Sequence, residues 1–224
     1  EPVQTAVNAM ASKMAAQAEV KPYIVLAERL GAASRQLFKG TAESVRIRCH
    51  GDVPRRYLDV LRISALKGFL QHSWTESVNL VNAPVIAEEA GIVVDVETFH
   101  PDSSYSNQIV MELTGPSGSF KLGGTLLGAS DPRITMVDGY GIELRMEGRM
   151  LLYRNQDRPG MLAAVGSVLA EAGINIGSMA LGRNQPGEEA MTAIAVDQPL
   201  GENLLQRLSS IVGVRGLSML EFMP

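Results

Sequence analysis

Residues 155–175 hold the side chains best suited to chemistry. The run reads Asn155-Gln156-Asp157-Arg158-Pro159-Gly160-Met161 and later Gly173-Ile174-Asn175-Ile176. A polar strand end passes through Arg158-Pro159-Gly160 into an amphipathic helical stretch, and a second asparagine opens the next strand. A carboxylate attracts an ammonium group, and unpaired N–H groups in a first helical turn attract a carboxylate. Such a set holds a zwitterion rather than breaking a bond. Asp157 is the expected partner of the ammonium, and the amides of Asn155 and Asn175 hold further polar groups. The backbone N–H groups near Gly160 and Met161 are left for the carboxylate. Pro159 fixes the backbone entry and Gly160 permits close approach. Asp157 is also suited to cap the helix, a role worth about 1 kcal/mol and compatible with ligand binding.

Elsewhere the chain lacks reactive constellations. No Gly-x-Gly-x-x-Gly follows a strand with an acidic residue about 20 positions on, as a dinucleotide fold requires. Gly139-Tyr140-Gly141 leads into a strand pattern instead. His50, His72 and His100 fall on unlike elements and read as structural. Trp74 reads as a core or interface anchor, and the methionines as gap fillers. A single cysteine, Cys49, rules out an intrachain disulfide and a cysteine zinc site, and suits a reducing cytoplasm. Arg133 and Arg145, with Lys121 nearby, either face an anion or form a solvated surface. We expect no catalytic residue and no metal site.

The chain has 224 residues, 46% of them hydrophobic and 20% charged, with a net charge of −4. This composition supports a packed core and shows no basic block for nucleic acid or an anionic membrane. No apolar run approaches the roughly 20 residues of a membrane span, and no signal peptide is visible. The opening Glu1-Pro2, in place of a methionine, reads as the exit from something larger.

Periodicity arranges these residues in two units. Helical spacing over 23–38 ends at Gly40, and alternation over 44–49 makes a half-buried strand. Pro54 opens a helix to about residue 70, and Pro84 opens another that Gly91 ends. Strand patterns follow over 92–98, 108–113, 119–126 and 139–146, with a hairpin signal at Gly115-Pro116-Ser117-Gly118. This first part reads as α+β with a mostly antiparallel sheet. From residue 150 the order is strand, helix 159–172, strand 174–181, polar loop 183–188, strand 190–196, helix 200–211 and strand 213–222. That is the ferredoxin-like βαββαβ pattern. The expected division is 1–40 as linker and helix, 41–147 as an intervening domain and 148–224 as the final domain.

On these residues the final unit resembles an ACT domain, a sensor module of amino-acid enzymes. The match lies in Asp157-Arg158-Pro159-Gly160, Gly173-Ile174-Asn175-Ile176 and the element order. The preceding region, with Val81-Asn82-Ala83-Pro84 and Gly123-Gly124-Thr125, is similar to the second regulatory domain of long-form D-3-phosphoglycerate dehydrogenases. Lys21-Pro22-Tyr23 and Leu26-Ala27-Glu28-Arg29-Leu30-Gly31 resemble the segment joining that enzyme's catalytic and regulatory parts. The resemblance implies a parent that oxidises 3-phosphoglycerate with NAD at the start of serine synthesis. It also implies inhibition by L-serine at an ACT–ACT interface and a dimer or tetramer built through those domains. The effector contacts it implies fall on Asp157, Asn155 and Asn175. For Arg133 and Arg145 it implies phosphate or a phosphorylated acid. The expected location is cytoplasmic, or an organelle after loss of a transit segment. Two alternatives stay open: a purely structural ACT-type pairing module, and the regulatory part of an L-serine dehydratase.

Overall fold

In a computed structural model describing residues 15–71, 77–100 and 105–222, helix α1 (Lys21–Leu37) carries Pro22 in its first turn. Proline is tolerated there because the first N–H groups have no helical partner. The stripe Leu26, Ala27, Leu30, Ala33 and Leu37 is buried, as the helical spacing predicts. His72, Trp74 and residues 101–104 of the polar loop before β3 lie outside the described residues.

The chain divides into two compact units after Asp138. In the first, β1 (Ser44–His50) is followed by the short α2 (Asp52–Arg56), α3 (Leu58–Gln71) and α4 (Ala83–Glu89). Next come β2 (Val93–Thr98), β3 (Gln108–Gly115), β4 (Gly118–Leu127) and β5 (Asp131–Val137). β1 pairs in parallel with β2 and antiparallel with β3, and β3–β4 and β4–β5 are antiparallel. The sheet is therefore mostly antiparallel, within an α+β fold. Two local expectations are corrected. The helix expected from Pro54 onward breaks at Tyr57, with Pro54 inside the separate α2. β5 has no counterpart in the sequence reading, because Asp131-Pro132 looks like a turn.

α3 is buried over most of its girth, from Val60 to Leu70. It meets α1 at two glycines facing each other's backbone. A Cβ on Gly31 would stand 2.0 Å from the Ala65 carbonyl oxygen, and one on Gly68 would stand 2.0 Å from that of Glu28. No side chain fits at either place. Lys67 and Glu28 form an ion pair at 2.9 Å beside this contact.

The second unit holds β6 (Tyr140–Arg145), β7 (Gly148–Gln156), α5 (Met161–Glu171), β8 (Ile176–Arg183), β9 (Glu189–Val196), α6 (Glu202–Ser209) and β10 (Val214–Phe222). β7 to β10 form an antiparallel sheet in the order β10-β7-β9-β8. From β7 onward the order is βαββαβ, as expected. Met161, Val165 and Leu169 of α5 and Leu204 and Leu208 of α6 pack on Leu151, Tyr153, Ile194 and Val196. Ile142, Leu144 and Met146 of the β6 segment are buried, and the backbone at Gly141 closely approaches Gly182 of β8. β8 ends the hydrogen-bonded order, with Ile176, Met179 and Leu181 exposed by 40%, 48% and 38%.

Candidate functional site

The residues of the 155–175 stretch separate along the sheet. β7 and β8 both pair antiparallel to β9, so they run in the same direction. Asn155 and Arg183 both pair with Ala190 at one end, while Arg149 and Ile176 both pair with Val196 at the other. Asp157 follows β7 at the first end, and Asn175 precedes β8 at the second.

Asp157 is held on two sides. Its Oδ2 accepts a hydrogen bond from the Gly187 N–H at 3.0 Å and forms an ion pair with Arg183 Nη1 at 2.9 Å. Its own N–H donates to the Glu188 carbonyl at 2.8 Å. The Gly187 N–H and the Arg183 guanidinium hold its carboxyl below the ordinary value of 3.8, against some burial. The negative charge is thus kept and aimed by the 184–188 loop.

Asp157 does not cap the helix. α5 begins at Met161 with Gly160 as its cap residue in a left-handed conformation (φ 89°), and no side chain caps it. The start falls two residues later than expected because Pro159 and Gly160 form a turn. Gly160 is exposed with open space where a Cβ would be, whereas the Met161 side chain belongs to the core.

Asn155 is 2% exposed and its amide is engaged. Its Oδ1 accepts from Thr192 Oγ1 at 2.7 Å, and its Nδ2 donates to the Gln156 carbonyl at 3.0 Å. Tyr153 lies on the same face across from Thr192, and its hydroxyl is buried without a hydrogen bond to any described group. Burial pushes its phenol up to about 12, offset slightly by nearby Thr192. At the far end, Asn175 is exposed. Its Nδ2 donates to Asp197 Oδ2 at 2.6 Å, and its N–H donates to Gln198 Oε1 at 3.0 Å.

Arg133 and Arg145 each face a carboxylate near in sequence. Arg133 donates twice to Asp131 Oδ2, at 3.1 and 2.7 Å, and Arg145 lies 3.5 Å from Glu147. Lys121 pairs with Glu112, which also meets Arg48. His50 and His100 come to 6.0 Å at the ends of the parallel strands, closer than their separation in sequence suggests. His50 bonds the Phe99 carbonyl and His100 bonds Arg55, and no metal-ligating group occurs among the described residues.

Sequence reasoning missed Arg183, Gly187 and Asp197. The loop 183–188 had only its polarity to mark it, and the partner of Asp157 emerges only once the strand order is known.

Residues 19–138 match the D-3-phosphoglycerate dehydrogenase intervening domain. The chain belongs to that family. Residues 149–213 match the ACT domain, so the two regulatory domains occur in the expected order. Relatives named D-3-phosphoglycerate dehydrogenase agree. One from Synechocystis is 34% identical over 96% of this chain and 39% of the relative. One from Methanocaldococcus jannaschii is 31% identical over 90% of the chain and 38% of the relative. A chloroplastic one from Arabidopsis thaliana is 30% identical over 94% of the chain and 38% of the relative. The chain spans about two fifths of the length of these curated relatives and corresponds to the regulatory region of a D-3-phosphoglycerate dehydrogenase. The intervening domain favours the dehydrogenase over the dehydratase alternative.

Proposed function

We propose that this chain senses L-serine for a NAD-dependent D-3-phosphoglycerate dehydrogenase, binding it between the ACT domains of two protomers and mediating their association. The observation that carries this reading is the open edge strand β8, with the Asp157 end and the Asn175 end at its two extremes. Two such edges meeting antiparallel bring the Asp157 end of one protomer to the Asn175 end of its partner. The exposed Ile176, Met179 and Leu181 supply apolar area for that meeting, and an unpaired strand edge is a template for pairing.

In this reading Asp157 receives the serine ammonium and Asn175 of the partner subunit holds a polar group. The backbone around Gly160 and Met161 receives the carboxylate. Asn155 braces the end of β7 beneath Asp157, since its amide is already bonded to Thr192 and Gln156. A ligand that touches both protomers favours the docked arrangement, and couplings of about 1–3 kcal/mol are usual. Oxidation of 3-phosphoglycerate with NAD would fall to a catalytic part that the two matched domains do not supply. We place the protein in the cytoplasm, or in an organelle after transit-segment removal. No helix among the described residues is long and apolar enough to cross a membrane. Anion binding by Arg133 and Arg145 remains part of the proposal and requires Asp131 and Glu147 to release them.

The same exposed edge supports a second reading, a pairing module without an effector. Thermal melts with a panel of amino acids separate the two, because a ligand that binds only the folded state raises Tm. A rise with L-serine that Asp157→Ala and Asn175→Ala each abolish supports the sensor. Equal melting with and without every amino acid leaves the pairing module.

A further inference from the structure

The end of the ACT sheet that carries Asp157 also forms a polar recess of about 350 Å³. Its lining is Gln156 at the end of β7, Gly187 and Glu188 from the β8–β9 connection, Glu189 at the start of β9, Gly213 just before β10 and Arg215 within it. Asp157 is not among these residues.

Several opposite charges of the domain pair: Arg149 with Glu221, Arg154 with Glu189, Arg183 with Asp157 and Arg207 with Glu171. At this recess Arg215 and Glu188 do not. Neither side chain has an ion pair or hydrogen bond with any described group, and nor does the Gln156 amide. A cation, an anion and an amide therefore line one small recess with their bonding capacity unused. A shift of strand register follows Arg215 immediately, before Ser218. Bulges of this kind redirect side chains and recur beside binding sites.

The volume falls at the small end of the range for ligand pockets, roughly 300–1,000 Å³. A guanidinium binds a carboxylate through two parallel N–H donors, and a carboxylate suits an ammonium group. We propose that this recess is a second amino-acid site, complete within one protomer, taking the carboxylate of a small α-amino acid on Arg215 and its ammonium on Glu188. Gly187 and Gly213 add no side chains to the walls. The site is coupled to Asp157, because the Gly187 N–H and the Glu188 carbonyl both bond that residue. An occupant therefore presses on the loop that aims the Asp157 carboxylate.

Glycine is the minimal probe, since it carries only the two recognised groups. Titrated into the ¹⁵N-labelled 224-residue chain, it should shift the amide signals of Gly187, Gly213 and Arg215 in a saturable way. Arg215→Ala and Glu188→Gln should each weaken that response about tenfold or more, the usual effect of losing a charge-assisted hydrogen bond. N-acetylglycine and glycinamide, each lacking one charge, should bind more weakly than glycine. No saturable shift, or unchanged affinity in both variants, would overturn the proposal. So would N-acetylglycine binding as tightly as glycine, which would mark an anion site alone. Asn175→Ala separates this site from the interface: the recess should respond in full, and loss of its response would assign the effect to the interface.

Discussion

Asp157 and Asn175 stand at opposite ends of the same edge strand. The Asp157 carboxylate is tied to Arg183, the last residue of β8, and Asn175 directly precedes Ile176, the first. Eight residues of strand separate the two ends, a span of about 25 Å. No molecule the size of an amino acid bridges that distance. If both residues contact one effector, they do so from different protomers, and the site exists only in the assembled protein.

Effector affinity should therefore depend on protein concentration as well as on Asp157. Calorimetric titration of L-serine at protein concentrations above and below the dimer midpoint should give weak heats in the dilute sample and strong heats in the concentrated one. Asp157→Asn should weaken binding about tenfold or more, the loss expected of a charge-assisted contact. Identical isotherms at both concentrations would show that one protomer binds alone.

The hold on Asp157 also predicts a pH response. Its folded pKa lies below the ordinary value of 3.8, with the Gly187 N–H as the main cause and Arg183 next. A depressed carboxyl pKa favours the fold above the unfolded value, and the contribution is lost as pH falls through the folded one. Carboxyl ¹³C titration should place the Asp157 midpoint below 3.8. Arg183→Ala should raise that midpoint while leaving the Gly187 contribution in place.

Tyr153 makes the opposite case. Its buried hydroxyl has no hydrogen-bond partner among the described residues, and burial raises its pKa from 10.0 to about 12. Tyr153→Phe should leave stability at neutral pH unchanged or raise it by up to about 1 kcal/mol, since an unpaired buried polar group is removed. The raised pKa means that the tyrosine's neutral-form contribution is complete below 10.0 and lost as pH climbs toward 12. Urea midpoints at pH 8 and pH 11 should therefore fall further in the parent chain than in the variant.

The α1–α3 contact should tolerate no added methyl group. Gly31→Ala and Gly68→Ala each place a Cβ 2.0 Å from a backbone oxygen, so the helices must part. Each should cost about 1–3 kcal/mol, the usual scale of overpacking, measurable as a lowered urea midpoint. The double variant should cost less than the sum, because one separation relieves both clashes.

Cys49 offers a reporter for the first unit. It is fully buried in β1, and burial pushes its thiol up to about 12. At neutral pH it should resist alkylation until the unit opens, so the labelling rate should track denaturant unfolding. Rapid labelling of the native chain would contradict the packing of β1.

Much of this architecture was legible in the residues themselves. The apolar stripe of α1, the alternation of β1 and the βαββαβ order from β7 onward all follow from periodicity. What stayed hidden depends on pairing between distant segments. β5 was invisible because Asp131-Pro132 looks like a turn, yet Pro132 pairs with Leu126 at the start of that strand. Asp157, Asn155 and Asn175 were visible as polar groups around a βα step, but their partners were not. Arg183 reaches Asp157 only because β8 runs alongside β7 with β9 between them. Thr192 bonds Asn155 because β7 and β9 are neighbours. The helix-cap expectation for Asp157 failed because Pro159-Gly160 forms a turn before the helix begins.

The bond from Gly187 to Asp157 has an evolutionary consequence. Its donor is a main-chain N–H, which every residue but proline possesses. Substitutions at 184–186 leave that donor in place provided the loop keeps its path, whereas position 187 holds a φ of 83° that favours glycine. The aim of the acidic group is then set by backbone geometry rather than by the side chains of residues 184–186.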